Sequence, residues 1–197
     1  MQPPRTRLSN DERTQATSAA LISAARLLFV EKGYANTGTP EIVAKAGVTR
    51  GALYHHFRDK AELFFAVARQ AAEEVAAEIA AGSENHATPL AALVAGAHAY
   101  FKAMAEQGRA RLLLLDAPSI LTPAHVAELS DIAGSGELHE GLVALMQTGT
   151  TDDERPIDEL TALLSASFDR AALAIANGAA EARYRSAIVL LLKGLAA

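Results

Sequence analysis

The 197-residue chain contains no cysteine. That excludes disulfides, thiolate metal sites and thiol nucleophiles, and it fits a reducing compartment. No window approaches the run of about eighteen apolar residues that a membrane span needs. The opening stretch MQPPRTRLSNDERTQ lacks the apolar core of a secretory signal. A cytoplasmic protein with no membrane partner is therefore expected. Runs of β-branched residues, internal repeats and low-complexity tracts are also missing. So are the Gly-rich phosphate loop, the Gly-x-Ser-x-Gly elbow and the His-Glu-x-x-His run. His125 and Glu128 sit three apart on one helical face, and His139-Glu140 follows, but no second matched pair completes a metal site. Neither an enzyme, a metal site nor a cofactor is expected.

What is present is apolar bulk and an uneven charge. Half of the residues are apolar, enough for a core and far from a disordered composition. Residues 1–60 hold nine Lys/Arg against five Asp/Glu, whereas residues 61–197 hold nine against eighteen. A basic front on an acidic chain points to a polyanion met at one end only.

Ala, Leu, Glu and Arg dominate, and Gly or Pro falls between periodic stretches, so an all-α fold of about nine helices is expected. Leu21, Ala24, Ala25, Leu28 and Phe29 form one stripe of a first helix that stops at Lys32-Gly33, with Ser9 and Glu12 spaced as a capping box. Thr39 is read as the cap of a short second helix with Pro40 in its first position, ended by Gly47. Thr49 caps a third, to about Phe57. Asp59 opens a long fourth with Glu62 placed for another capping box. A linker is expected at 81–89, helices at 89–107 and in RARLLLLD (halted by Pro118), and another from Thr122-Pro123 that breaks or bends at 133–137. An exposed loop at 148–156 precedes two final helices at about 157–177 and 180–195.

The second and third helices, joined by a Gly-containing turn, have the helix-turn-helix pattern. With Leu53 and Phe57 inward, Thr49, Arg50, Tyr54 and His55 project outward. A recognition helix needs such groups: a long cation for guanine edges or phosphates, small residues such as Gly51 and Ala52 where helix meets groove, and hydrogen-bonding side chains. His56 and Lys60 lie where the following turn meets the DNA backbone. A solvated face of chance polar residues is the competing reading.

The stretch AARLLFVEKGYANTGTPEIVAKAGVTRGALYHHFRDKAELF, residues 24–64, resembles the DNA-binding domain of the tetracycline-repressor (TetR) family of bacterial regulators. The resemblance rests on Phe29, Gly33-Tyr34, Thr37, Ile42, Ala46-Gly47-Val48, Gly51, Leu53-Tyr54, Phe57, Lys60 and Leu63, in the family's spacing without a gap. Gly38, where relatives often have Ser or Thr, and Pro40 depart from it. The resemblance implies a DNA-binding helix-turn-helix domain at 1–60, connected by the helix from about 59 to a ligand-binding and dimerisation domain at 61–197. Thr39, Thr49, Arg50, Gly51, Tyr54, His55, His56 and Lys60 stand where relatives touch double-stranded DNA. A ligand-responsive regulator is implied, a homodimeric repressor on a palindromic operator, released by a small molecule. The alternative is an all-helical ligand-binding or scaffold protein without DNA activity.

In the larger region the last helices are apolar over much of their surface. Leu160, Leu163, Leu164 and Phe168, with Ile188, Leu191, Leu192 and Leu195, exceed what one face of a monomer needs. Of these, Leu160, Leu164, Phe168, Ile188, Leu191 and Leu192 are candidates for a homodimer interface, with burial inside a helical core as the other reading. Candidates for a ligand pocket are His98, Tyr100, Phe101, Met104, Asp116, Ser119, His125, Phe168 and Asp169, ordinary packing being the alternative for each.

Overall fold

A computed structural model describes residues 9–83, 86–147 and 156–196. It is all helical over these residues, in nine continuous runs. The chain divides into two compact units, Met1–Val67 and Ala68–Ala197. The division falls inside the long fourth helix, whereas the sequence reading placed a boundary at 60/61.

The front unit begins with α1, Asn10–Lys32, capped as its sequence prescribes: the Glu12 amide donates to Ser9 Oγ and the Ser9 amide to Glu12 Oε2. The stripe Leu21, Ala24, Ala25, Leu28 and Phe29 is buried. Phe29 meets Tyr34 and Phe64 with ring centroids 5.6 and 5.4 Å away, a tilted cluster that fills the unit's centre. Helix α2, Thr39–Ala46, corrects one expectation. Its cap is Gly38, which has no side chain to accept an amide, so Thr39 is the first helical residue and Pro40 the second. Gly47 closes α2 at φ 68° and ψ 27°. A Cβ there would meet nothing within 4 Å, so it is the left-handed backbone that calls for glycine, not lack of space. Helix α3, Arg50–His56, is capped by Thr49 Oγ, which accepts from the Ala52 amide. Leu53 and Phe57 anchor it in the core.

Helix α4, Lys60–Ser83, contributes to both units. Asp59 Oδ1 accepts from the Glu62 amide, but Glu62 reaches back to the Arg58 amide rather than to Asp59, so the expected box closes one residue early. Leu63, Phe64 and Val67 are fully buried.

The rear unit consists of the second half of α4 with α5 (Pro89–Met104), α6 (Arg109–Arg111), α7 (Ala117–Ile120), α8 (Pro123–Ser130), α9 (Gly136–Met146), α10 (Ile157–Ala176) and α11 (Glu181–Leu195). Pro118 does not halt its helix. A π-turn at Leu112–Asp116 joins α6 to α7, and the Ala117 amide bonds back to the Leu112 carbonyl, five residues away. The widened turn makes room for a ring that would otherwise strike the carbonyl four residues earlier. Arg109, at the head of this run, is buried. It donates to Glu74 and Glu78 of α4, each at 2.9 Å, and to the Ala103 carbonyl at 2.6 Å.

The expected break at 133–137 is a second π-turn, Asp131–Ser135, linking α8 to α9, with Gly134 at φ 117°. A Cβ there would lie 2.6 Å from Ile79 Cδ1. Ile79 Cδ1 is the end of a flexible side chain beside the cavity and can give way. It is therefore the positive φ that calls for glycine, and Gly134→Ala is expected to cost about 1–3 kcal/mol. A circular-dichroism melt should show the midpoint lower by roughly 2–10 °C; an unchanged midpoint would mean that the turn relaxes freely. The expected loop at 148–156 lies, apart from Pro156, outside the described residues.

Candidate nucleic-acid interface and internal cavity

With Leu53 and Phe57 seated in the core, the opposite side of α3 presents Thr49, Arg50, Gly51, Tyr54 and His55 to solvent, while His56 is half-buried. Arg50 and Tyr54, one helical turn apart, stack with the guanidinium carbon 5.5 Å from the ring centroid. The Tyr54 hydroxyl is held below the ordinary phenol range, first by hydrogen bonding to Thr39 and then by Arg50. Thr39, displaced from its expected capping role, thus links α2 to α3. His55 and His56 meet edge-on at 5.5 Å.

Lys60 is committed inward more than its sequence suggests. Its ammonium donates to the Tyr34 and Thr37 carbonyls at 2.9 and 3.0 Å and lies 4.0 Å above the Tyr34 ring. One of its three N–H groups remains for an outside partner. Thr37, buried beneath, donates to the Gly33 carbonyl. The loop between α1 and α2 is therefore pinned from both sides.

A further group went unread in the sequence. Asn10, Arg13, Thr14 and Thr17 of α1 border a shallow groove with Gly51, Ala52, His55 and His56 of α3. Their spacing of i, i+3, i+4 and i+7 is a polar stripe on one helical face, the signal that could have found them.

The rear unit encloses a cavity of about 560 Å³, within the range of sites for drug-sized molecules. Its wall is mostly apolar, with Leu93 and Met104 from α5, Leu113 and Leu114 from the first π-turn, and Leu138 and Phe168 from α9 and α10. Of the pocket candidates, Tyr100, Met104, Phe168 and Asp169 line it. The Tyr100 hydroxyl donates to Asp169 Oδ1 at 2.5 Å. Burial raises the Asp169 carboxyl above its usual range, opposed by that hydrogen bond. Burial, with the Asp169 charge beside it, pushes the Tyr100 phenol up as well.

The other five candidates lie off the wall. Phe101 is fully buried behind it, edge-on to Phe168 at 6.0 Å. His98 turns to another face of α5, where burial and then Arg185 hold its imidazole below the usual range. Asp116 pairs with Arg111, the Ser119 hydroxyl donates to the Asp116 carbonyl, and half-buried His125 takes part in the Thr122 cap through its amide. The candidates fell on α5, the first π-turn, α7, α8 and α10, but spacing could not rank the faces of these helices. It also named no residue of α4, the second π-turn or α9, which border the cavity as well.

The same ambiguity affected the interface candidates. Leu164, Phe168, Ile188 and Leu192 point into the chain's own core, and Leu160 is half-buried. Leu191 is half exposed. On α10 and α11, Leu163 and Leu190 are also outward, 67% and 71% exposed.

Among the described residues no group of His, Cys, Asp and Glu is arranged to hold a metal, and no helix is long and apolar enough to cross a membrane.

Comparison with known proteins agrees with both halves of this geometry. The family model described as "Bacterial regulatory proteins, tetR family" matches residues 21–67, and the one described as "Tetracyclin repressor-like, C-terminal domain" matches residues 90–197. A TetR-family transcriptional regulator from Pectobacterium atrosepticum superposes with a TM-score of 0.73 at 29% identity, over 95% of this chain and 97% of that one. Similarity to the curated proteins covers only part of the chain. The transposon Tn10 TetC protein of Escherichia coli is 48% identical over 59 residues, 30% of each protein. The transcriptional repressor BepR of Brucella suis is 39% identical over 85 residues, 40% of each. The matched region thus spans well under half the length of these curated relatives.

Proposed function

Since the chain belongs to the TetR family of bacterial regulatory proteins, we propose that it is a homodimeric, ligand-responsive transcriptional repressor, acting in the cytoplasm and released from a palindromic DNA operator by a small molecule. The observation that carries this reading is the exposed face of α3, where Arg50 and Tyr54 are held in a fixed stack over a buried Leu53–Phe57 anchor. In this reading Arg50 and Tyr54 address base edges and adjoining phosphates. Thr39, Thr49, Gly51, His55, His56 and the spare N–H of Lys60 line the contact, and Arg13 of α1 reaches a neighbouring phosphate. The name of BepR supports repression as the sign of control.

Two heads are needed for two half-sites, and the apolar surface on α10 and α11 suits that pairing. Leu163, Leu190 and Leu191 would meet their counterparts across a two-fold axis. Leu163→Glu with Leu190→Glu is expected to give a folded monomer by sedimentation, with operator affinity reduced about 100-fold because avidity is lost. A dimer that survives both charges at low protein concentration would refute this interface.

The input is the cavity. Its wall includes Ile79 of α4 and Leu113 and Leu114 of the first π-turn, and Arg109 at the head of that run grips α4 through Glu74 and Glu78. A ligand that displaces the π-turn is therefore felt by α4, which also supplies the front unit's Leu63, Phe64 and Val67. A coupling of about 1–3 kcal/mol suffices for a 5- to 150-fold change in operator affinity. The direct test is a gel shift with DNA from upstream of the gene, from low to moderate salt. Binding should weaken steeply as salt rises, because each head releases counterions from several phosphates. Failure to shift any such fragment even at low salt would refute the DNA-binding reading.

A further inference from the structure

The charge of the cavity wall says what kind of molecule it accepts. Among its described lining residues are three carboxylates, Glu137, Glu140 and Asp169, and no Lys, Arg or His. Glu137 and Glu140 are exposed and lie toward solvent, whereas Asp169 is half-buried among apolar side chains. Among the described residues the partner of Asp169 is a neutral phenol, Tyr100, which occupies Oδ1. A carboxylate withdrawn from water with one neutral donor is under-compensated, since it can accept several hydrogen bonds and favours a nearby cation. Three cations of this unit are engaged elsewhere: Arg185 with Glu181, Arg109 with Glu74 and Glu78, Arg111 with Asp116. Arg170, next in sequence, is exposed and is not on the cavity wall.

Beside that carboxylate stand two aromatic rings, Tyr100 and Phe168, 6.4 Å apart and both on the wall. Ring faces attract a cation as the carboxylate does, and they do so without strongly hydrating it. The remaining wall is aliphatic and suits an apolar body. An anionic ligand finds no cation here and meets three negative charges.

We propose that the cavity takes an amphipathic organic cation, an ammonium group carried on an apolar body, with Asp169 as its counter-ion and the rings of Tyr100 and Phe168 flanking the charge. The proposal rests on the reading of this cavity as the regulator's input and names the chemistry of that input.

The test uses three probes that share one chain and differ in charge: decyltrimethylammonium, decanoate and 1-decanol, each below its aggregation threshold. Each is titrated calorimetrically into the full-length protein. The ammonium is expected to bind at least about ten-fold more tightly than either of the others. In Asp169→Asn its affinity should fall about ten-fold, toward that of the alcohol, while the alcohol itself changes by less than about two-fold. Equal or tighter binding of decanoate or decanol overturns the proposal, as does absence of binding by all three, or an Asp169→Asn variant that keeps the ammonium's advantage. Should that variant not fold, the ranking of the three probes on the unaltered protein decides alone. A gel shift without any probe is run in parallel. DNA binding with no preference for the cation defeats this inference and spares the regulator; preference for the cation without DNA binding does the reverse.

Discussion

Replacing Arg50 and Tyr54 together by alanine is expected to abolish the operator gel shift while leaving the thermal melt and the dimer unchanged. The separation follows from where the side chains lie. Helix α3 is held by Leu53 and Phe57, which are buried, and by the Thr49 cap; neither mutated side chain belongs to that anchor. Surface substitutions away from such features shift stability by about 0.5 kcal/mol or less. The bond from Tyr54 to Thr39 is lost, but α2 and α3 remain joined through the Gly47 turn, where the Val48 amide bonds to the Val43 carbonyl at 3.1 Å. For DNA the arithmetic differs. A good base-edge contact discriminates by about 1–3 kcal/mol, and a two-fold dimer loses every contact twice. Even at the low end, two contacts in each of two heads amount to about 4 kcal/mol, near 10³-fold in affinity. Fluorescence anisotropy on a labelled operator at moderate salt measures it. If the double variant stays within about ten-fold of the parent, α3 is not the reading helix.

The largest expected effect on stability comes from Arg109→Ala. Arg109 is buried at the junction of α6 with the rear half of α4, and its guanidinium meets two carboxylates and a carbonyl. Removing one partner of a buried ion pair typically costs about 3–5 kcal/mol, mostly from charges left without compensation. Here the figure is discounted, because the Glu74 and Glu78 side chains are about a third exposed and water can reach them. A loss of about 2–4 kcal/mol is expected, or a melting midpoint lower by roughly 5–15 °C. The triple replacement Arg109→Met, Glu74→Leu, Glu78→Leu should recover much of it, since an apolar cluster of similar volume often matches a buried ion network. A single variant that melts like the parent would show the triad to be surface-like.

What could be read in advance follows the range of the interactions. The α1 stripe, the Ser9–Glu12 box, the Thr49 cap and the Gly47 turn depend on residues a few positions apart, and each stands where local spacing puts it. The Thr39 expectation failed by one position because Gly38 already had the extended backbone of a cap, leaving Thr39 free to bond Tyr54 across the turn. Pro118 misled because a widened turn absorbed it, and nothing in RARLLLLDAP marks that turn. The cavity is space between α5, α9, α10 and the π-turns, set by packing between distant segments. Periodicity could place Tyr100 and Asp169 on facing helices but could not show that a void lies beside them. On α10 and α11 leucines occur on more than one face, so spacing alone did not separate Leu163 and Leu190 from Leu164 and Ile188, which the core claims.

The Lys60 clamp carries a consequence for how the reading head keeps its aim. One ammonium at the first residue of α4 grips both ends of the bend that launches α2, through Tyr34 and Thr37. Any roll of that first turn drags the bend with it, and α2 carries Thr39, to which Tyr54 is tethered. Orientation is thus transmitted through a short chain of polar links, while the greasy centre of the unit stays still. Lys60→Met leaves the Tyr34 and Thr37 carbonyls without that donor, so it should cost about 1–3 kcal/mol in a thermal melt. It should also narrow the affinity gap between operator variants in an anisotropy titration; an unchanged gap would overturn this role.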